Sequence, residues 1–171
     1  PVVMIREGVH NGLLYTAEEL AAFANLWDGH VVPVGHPMRA GEYVTANSPD
    51  IWASEVVGFL FNTTMNGDKL VSEIWLDIEK AEKLGELGTA VVETLRSGGQ
   101  MEVSTGLLLN VEETAGTWNG ESYEGIARMI LPDHLALLPN EIGACSWDDG
   151  CGTPRVNQKG ETMGNDPAKT K

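Results

Sequence analysis

The chain has 171 residues, and its 11 basic and 25 acidic side chains give a formal net charge of −14. This length suits one domain with a single hydrophobic core. The negative charge repels nucleic-acid phosphates and anionic membrane surfaces, so we expect neither as a partner, and basic proteins fit better. No stretch reaches the roughly 18 uninterrupted apolar residues of a membrane-spanning helix.

The start of the chain and its cysteines set expectations about processing and redox state. The first residue is Pro1 rather than a methionine, which indicates a fragment or a processed form. Cys145 and Cys151 have no histidines beside them, so they predict neither a zinc site nor a disulfide framework. A disulfide between them is geometrically feasible, but we expect two free thiols in a reducing compartment. We expect no metal and no cofactor.

The first part of the chain predicts a strand and then a helix. Residues 1–5 are apolar enough for a strand, and Asn11-Gly12 predicts a turn. Thr16 has the chemistry of an N-cap, with Glu19 three residues later to complete a capping box. We therefore expect an amphipathic surface helix over residues 17–26.

The next segments surround a histidine. The apolar run 31–34 predicts a buried strand, and it leads directly into Gly35-His36-Pro37. Residues 39–51 are rich in Gly, Thr, Asn, Ser and Pro and predict a flexible loop beside His36. Loops of this kind often line functional sites.

A hairpin and a long helix follow. The apolar segments 52–62 and 70–76 are joined through Asn66-Gly67, which is a strong hairpin signal. Residues 78–96 have apolar positions at helical spacing, and Gly85 and Gly88 predict a break or a bend in that helix.

The last part of the chain predicts strands and then a tail. We expect strands at 101–111 and 122–131 and a final short strand at 134–138. The fold class is therefore α+β, strand-dominated, with a closed or half-closed barrel and flanking helices. Residues 1–152 are predicted to form the domain, and 153–171 a flexible tail or a linker to a missing C-terminal segment.

Three side chains beside these strands have the chemistry of a serine hydrolase. A serine hydroxyl needs a neutral imidazole to take its proton and a further group to hold that imidazole in place. Ser104 follows a glycine pair in a strand, and His36 and His134 lie at the ends of apolar strands. Each signal alone is weak, because most serines in strands and most buried histidines are structural. His10 and His30 lie in turn-like contexts and are expected to be solvated.

The combination, in chain order, resembles a known family. Gly35-His36-Pro37, Glu102-Val103-Ser104-Thr105-Gly106-Leu107 and His134-Leu135-Ala136-Leu137-Leu138-Pro139 are similar to the motifs of the capsid-maturation serine proteases of tailed phages. They are more distantly similar to those of the herpesvirus assemblins, which use His, Ser and a third residue in this order. The resemblance covers roughly residues 31–139 and implies a herpesvirus-protease-like fold.

The resemblance also implies a function. It implies a serine endopeptidase of phage head maturation with His36, Ser104 and His134 as its catalytic residues. Scaffold and capsid proteins would be the substrates, together with the enzyme's own chain, inside the procapsid in the host cytoplasm. A homodimer is a further expectation from the assemblins. Many phage enzymes have an acid as the third member, so His134 here is as in the assemblins.

Three alternatives stay open at this stage. Asp133, next to His134, is the third catalytic member if the strand register differs by one residue, since neighbouring strand residues face opposite sides. A virion structural or scaffold-associated domain could retain the protease fold without turnover. A hydrolase of another class could use Asp28, His30 and His36 as metal ligands, although no second ligand cluster supports it.

Overall fold

Strands provide most of the regular structure of the chain. The computed structural model describes residues 1–155. Twelve strands are described: β1 Val2–Arg6, β2 Gly8–His10, β3 Leu13–Tyr15, β4 Val31–Pro33, β5 Met38–Arg39, β6 Glu42–Tyr43, β7 Val56–Asn66, β8 Lys69–Leu76, β9 Glu102–Glu112, β10 Gly116–Trp118, β11 Glu121–Tyr123 and β12 Gly125–Leu138. The helices are α1 Ala17–Ala22, α2 Pro49–Ser54, α3 Ile78–Lys83 and α4 Glu86–Arg96, and a 3-10 turn spans Ala24–Leu26.

Eight of the strands form one twisted sheet that is nearly closed into a barrel. Its order is β1-β8-β7-β4-β12-β3-β2, and β9 pairs with the other edge of β12. The pairs β4–β12 and β3–β12 are parallel, while β9 runs antiparallel to β12 along almost its whole length. The predicted α+β, strand-dominated barrel is therefore confirmed at this level.

The hydrophobic core lies inside this curved sheet. It takes alternate side chains from the strands and one face of α1 and of α4, as the alternation of apolar residues requires. Fully buried members include Val2, Met4, Leu20, Leu60, Leu70, Val91, Val103, Leu135 and Leu137. The core thus fixes which face of β9 and β12 points inward.

A short segment near residue 152 closes the gap between β9 and β1. Gly152 exchanges backbone hydrogen bonds with Val3, and Thr153 does so with Met101, at N–O distances of 2.8–3.0 Å. Just before this segment, Cys145 and Cys151 form a disulfide. The expectation of two free thiols was therefore wrong: the turn between them brings the Cα atoms within 5.6 Å, a separation that a disulfide spans.

Several local predictions hold in the structure. Thr16 caps α1, its hydroxyl accepting a hydrogen bond from the Glu19 backbone N–H at 3.2 Å. The capping box is only half formed, because the Glu19 carboxylate accepts from the Met129 N–H instead. The Asn66-Gly67 hairpin joins β7 to β8, and the predicted helix 78–96 breaks at Gly85, whose φ is +80°.

Other boundaries differ from the predictions. Residues 39–51 are not an irregular loop, since they hold the end of the β5–β6 hairpin and the start of α2. The predicted strand 122–131 begins within β11, and its residues from Gly125 onward are continuous with the predicted strand 134–138 in β12, because β-bulges absorb the irregular residues between them. Thr153 pairs with Met101, while the rest of the predicted tail, residues 156–171, lies outside the described residues.

The disulfide predicts a dependence of stability on redox state. Cross-linking two residues that are six apart restricts the unfolded chain and contributes about 2 kcal/mol in the loop-entropy description. We therefore expect a reducing agent to lower the urea midpoint of unfolding of the wild-type protein. The Cys145→Ser/Cys151→Ser double variant is the matched control. Its urea midpoint should equal that of the reduced wild-type protein and should not change when the reducing agent is added. Equal midpoints for the oxidised and reduced wild-type protein would contradict the expectation.

Candidate functional site

The pairing of β9 with β12 places Ser104 and His134 on the same face of the sheet. Ser104 lies opposite Ala136, and Gly106 lies opposite His134. The imidazole of His134 crosses directly over Gly106: a Cβ atom at position 106 would lie 2.1 Å from its Cε1 atom. Glycine is thus required at 106 for the His134 ring, 5 % exposed, to occupy this position.

His36 reaches the same place from the other edge of β12. The strand that precedes it, β4, runs parallel to β12, and the Gly35 N–H donates a hydrogen bond to the Leu137 carbonyl oxygen at 2.9 Å. Gly35 has a φ of +78°, which turns the chain at the end of the strand. The His36 ring then lies against the His134 ring, with 2.7 Å between His36 Nδ1 and His134 Nε2. The two histidines are therefore joined by a hydrogen bond.

The carboxylate of Asp133 lies at the far side of His134. Asp133 Oδ1 is 2.6 Å from His134 Nδ1, although the two residues are neighbours in one strand. A β-bulge between Pro132 and His134 disturbs the alternation at this point. His134 therefore contacts His36, and Asp133 contacts His134.

A turn in the segment 45–47 surrounds the same carboxylate. The Thr45 hydroxyl and the Ala46 backbone N–H donate to it, the latter at 2.8 Å, and the Asn47 side-chain amide donates at 3.1 Å. None of these three residues was singled out in the sequence, where the segment has only the composition of a loop. Short polar residues before a helix gave no indication of which distant group they would bind.

The protonation states follow from burial and from these contacts. Burial is the main cause that lowers the pKa of His36 to about 4, and the nearby His134 lowers it further. Burial also lowers the pKa of His134, although Asp133 opposes that shift. Burial alone would raise the pKa of Asp133, but the hydrogen bonds from Thr45, Ala46 and His134 outweigh it and leave the pKa below its usual value. At neutral pH the site therefore holds two neutral imidazoles and one carboxylate.

Ser104 faces the same cavity as the two histidines. This cavity has a volume of about 760 Å³, and its lining includes Tyr43, Leu108 and Ile142 besides His36, Ser104 and His134. Within residues 1–155, no hydrogen bond joins the Ser104 hydroxyl to His36. The structure thus brings the three predicted side chains to one cavity and bonds two of them, while their catalytic roles stay predictions.

The other histidines have structural contacts. His10 is 7 % exposed, and its ring nitrogens face the carbonyl oxygens of Arg6 and Ala144. His30 Nδ1 lies 3.2 Å from the Asp133 carbonyl oxygen. The expectation that both are solvated loop histidines was wrong for His10, which belongs to β2 and is buried by its neighbours.

The residues of the metal hypothesis do not converge. Asp28 accepts a hydrogen bond from the Thr63 N–H, while His30 faces Asp133 and His36 faces His134. In the part of the chain that the structure describes, no group of three His, Cys, Asp or Glu side chains could hold a metal ion. The described residues also include no helix long and apolar enough to cross a membrane.

Comparison with protein-family models, with curated proteins and with solved structures found no match to this chain. The resemblance to the phage and herpesvirus proteases therefore depends on the order and context of His36, Ser104 and His134. What that resemblance implies about activity enters below as a proposal.

The contact between Gly106 and His134 predicts the effect of a single methyl group. Gly106→Ala should push the His134 ring away, break its hydrogen bond to His36, and lower the free energy of unfolding by about 1–3 kcal/mol, as overpacking does. Urea unfolding and the ring resonances of both histidines in NMR spectra report these changes. Thr105→Ala, on the next residue of β9, is the control that should change neither. Unshifted His134 resonances in Gly106→Ala would contradict the geometry.

The low pKa of His36 predicts how the protein responds to acid. An imidazole in the unfolded chain titrates near pH 6.5, whereas His36 in the folded protein has a pKa of about 4. As the pH falls from about 6.5 to 4, the unfolded state therefore binds the proton first, and the free energy of unfolding decreases through this window. An NMR titration of the His36 ring measures the midpoint directly. A midpoint near 6.5 would show that the ring is solvated rather than buried.

Proposed function

We propose that this chain is a serine endopeptidase in which Ser104 is the nucleophile, His36 the general base and His134 the residue that orients the base. The observation that supports this proposal most is the hydrogen bond between His36 and His134 beside the cavity that Ser104 lines. A hydrogen-bonded pair of neutral imidazoles with a serine on the same cavity supplies a nucleophile, a base and an orienting group for acyl transfer.

The geometry indicates how each proton would move. His36 Nδ1 faces His134, so Nε2 is the nitrogen left to take the proton of the Ser104 hydroxyl. The Ser104 oxygen attacks the peptide carbonyl carbon, and His36 then returns the proton to the leaving amine. Water, activated by the same ring, hydrolyses the acyl-enzyme and regenerates Ser104. His134 Nε2 stabilises the imidazolium ion that forms in each step.

The unpaired edge of β9 supports a polypeptide substrate. Met101 directs both of its backbone groups to Thr153, away from β12. Because successive residues of a strand direct their backbone groups to alternate edges, Thr105 and Leu107 direct theirs to the same edge as Met101. No strand among residues 1–155 pairs with them there, and the cavity runs along this edge. An extended peptide that added to this edge would lie beside Ser104.

The biological setting of the proposal comes from the sequence resemblance. On that basis the enzyme cleaves scaffold and capsid proteins during the assembly of a phage head, and also its own chain. The net charge of −14 favours substrates with basic segments around the cleavage site. The neutral third member, His134, supports an imidazolium ion less than a directly bonded carboxylate would, which suits an enzyme that acts during one assembly event.

A second candidate function is a non-catalytic virion domain with the same fold. It is favoured by the lack of a hydrogen bond between Ser104 and His36 in the described structure. It is also favoured by a group of exposed aromatic rings on the outer face of β7, β8 and α2: Trp52, Phe59, Phe61 and Trp75. Exposed aromatic groups of this size are typical of protein–protein contacts.

Incubation of the purified protein with a basic scaffold-like polypeptide separates the two functions. We expect discrete cleavage products in intact-mass spectra of the wild-type reaction and none with Ser104→Ala or His36→Ala, because each variant lacks a group that the acyl transfer needs. Ser104→Ala is purified in parallel under the same conditions, so it also controls for proteases from the host. Products that persist in Ser104→Ala, or an intact substrate with the wild-type protein assembled in procapsids, would favour the structural domain.

A further inference from the structure

The carboxylate of Asp133 has more hydrogen-bond donors around it than any other acid near the cavity. Thr45, Ala46 and Asn47 donate to it from one side, and His134 Nδ1 contacts it from the other at 2.6 Å. An ionised carboxylate can only accept hydrogen bonds. His134 Nδ1 must therefore carry the proton of that imidazole.

The position of the proton on His134 determines the position of the proton on His36. When Nδ1 of a neutral His134 carries the proton, Nε2 has only a lone pair and accepts a hydrogen bond. Its partner, His36 Nδ1, must then carry the proton of the second ring. The remaining nitrogen, His36 Nε2, is left with a lone pair, which is the state that a general base requires.

We infer that Asp133 is a positioning residue that fixes the proton positions on both imidazoles and keeps His36 Nε2 free to accept a proton. This inference rests on the proposed function for its catalytic meaning, but the proton positions themselves do not depend on turnover. Asp133 does not touch the reacting atoms and acts through His134. The turn that holds its carboxylate is therefore part of the same arrangement.

Without the carboxylate the opposite arrangement becomes accessible. His134 could then carry its proton on Nε2 and donate it to His36 Nδ1. That would place the His36 proton on Nε2, where it blocks transfer from Ser104. The contact between the His36 and His134 rings has the same geometry in both arrangements. The Asp133 carboxylate therefore determines whether His36 Nε2 can accept a proton. His30, the other titratable group near His134, faces the Asp133 backbone carbonyl rather than its carboxylate.

Two substitutions separate the charge of Asp133 from its position. In Asp133→Asn, the Ala46 N–H favours the amide oxygen at the site of Oδ1, where it still accepts from His134 Nδ1. This variant should keep both proton positions while it removes the negative charge. In Asp133→Ala the acceptor is lost, so a substantial fraction of molecules should carry the reversed arrangement. Asp28→Asn is the control: the Asp28 carboxylate accepts a hydrogen bond from the Thr63 N–H away from the cavity. This variant should leave the proton positions on both rings unchanged.

Nitrogen-15 NMR of the imidazole rings tests this directly, because protonated and lone-pair ring nitrogens have well-separated chemical shifts. For the wild-type protein at pH 7 we expect protonated Nδ1 and unprotonated Nε2 on both His36 and His134, with the same pattern in Asp133→Asn. A wild-type ring protonated at Nε2 would overturn the inference, and so would an unchanged pattern in Asp133→Ala. If Asp133→Ala does not fold, the spectra of the wild-type protein and of Asp133→Asn still decide.

The activity of the same variants supplies a second readout. We expect Asp133→Ala to lower kcat by on the order of 10²-fold or more with little change in KM, because substrate contacts remain while the base is misprotonated. Asp133→Asn should recover part of that loss. Equal losses in both variants would show that charge, not proton position, is what Asp133 supplies. If no protein cleaves any substrate, the proposed function fails while the ring spectra still test the role of Asp133.

Discussion

The register of β12 against β9 is the constraint on which the candidate site depends. It places His134 opposite Gly106, the residue whose missing side chain makes room for the imidazole, and it places Ser104 on the same face two residues earlier. A shift by one residue would turn His134 into the core and bring an apolar side chain to the cavity. The buried side chains of Val103 and Leu137 oppose such a shift, because the same register keeps them inside. The same register is thus required both to pack the core and to position the side chains of the site.

The polar groups at the end of β12 depend on that register in turn. A buried imidazole such as that of His134 is costly unless both of its nitrogens have partners. Asp133 supplies the partner for one side of His134 and His36 for the other. The carboxylate itself accepts hydrogen bonds from the turn that contains Thr45, so this chain of contacts ends in the segment just before α2. In the described residues no buried side-chain polar atom is left without a hydrogen bond.

Sequence reasoning could predict the strand-dominated barrel and the three side chains around the cavity because those signals are local. Alternating apolar residues, the Asn66-Gly67 turn and the Thr16 cap each act within a few positions of the chain. It could not predict the residues that surround the Asp133 carboxylate. The contacts of Asp133 join residues almost ninety positions apart, and a β-bulge lets it and His134 interact although alternation places them on opposite faces. The disulfide was missed for a related reason: its formation depends on the closing segment, which pairs with strands from both ends of the chain.

The reactivity of Ser104 is the most direct measure of whether His36, His134 and Ser104 form one functional unit. A fluorophosphonate forms a covalent adduct only with a serine whose proton can be taken by a neighbouring base. If they do, we expect one adduct per chain, located by peptide mass mapping at Ser104, and a strong loss of labelling in His36→Ala and in Gly106→Ala. Labelling at another serine, or no labelling of a folded wild-type protein at neutral pH, would contradict a functional unit of these three residues.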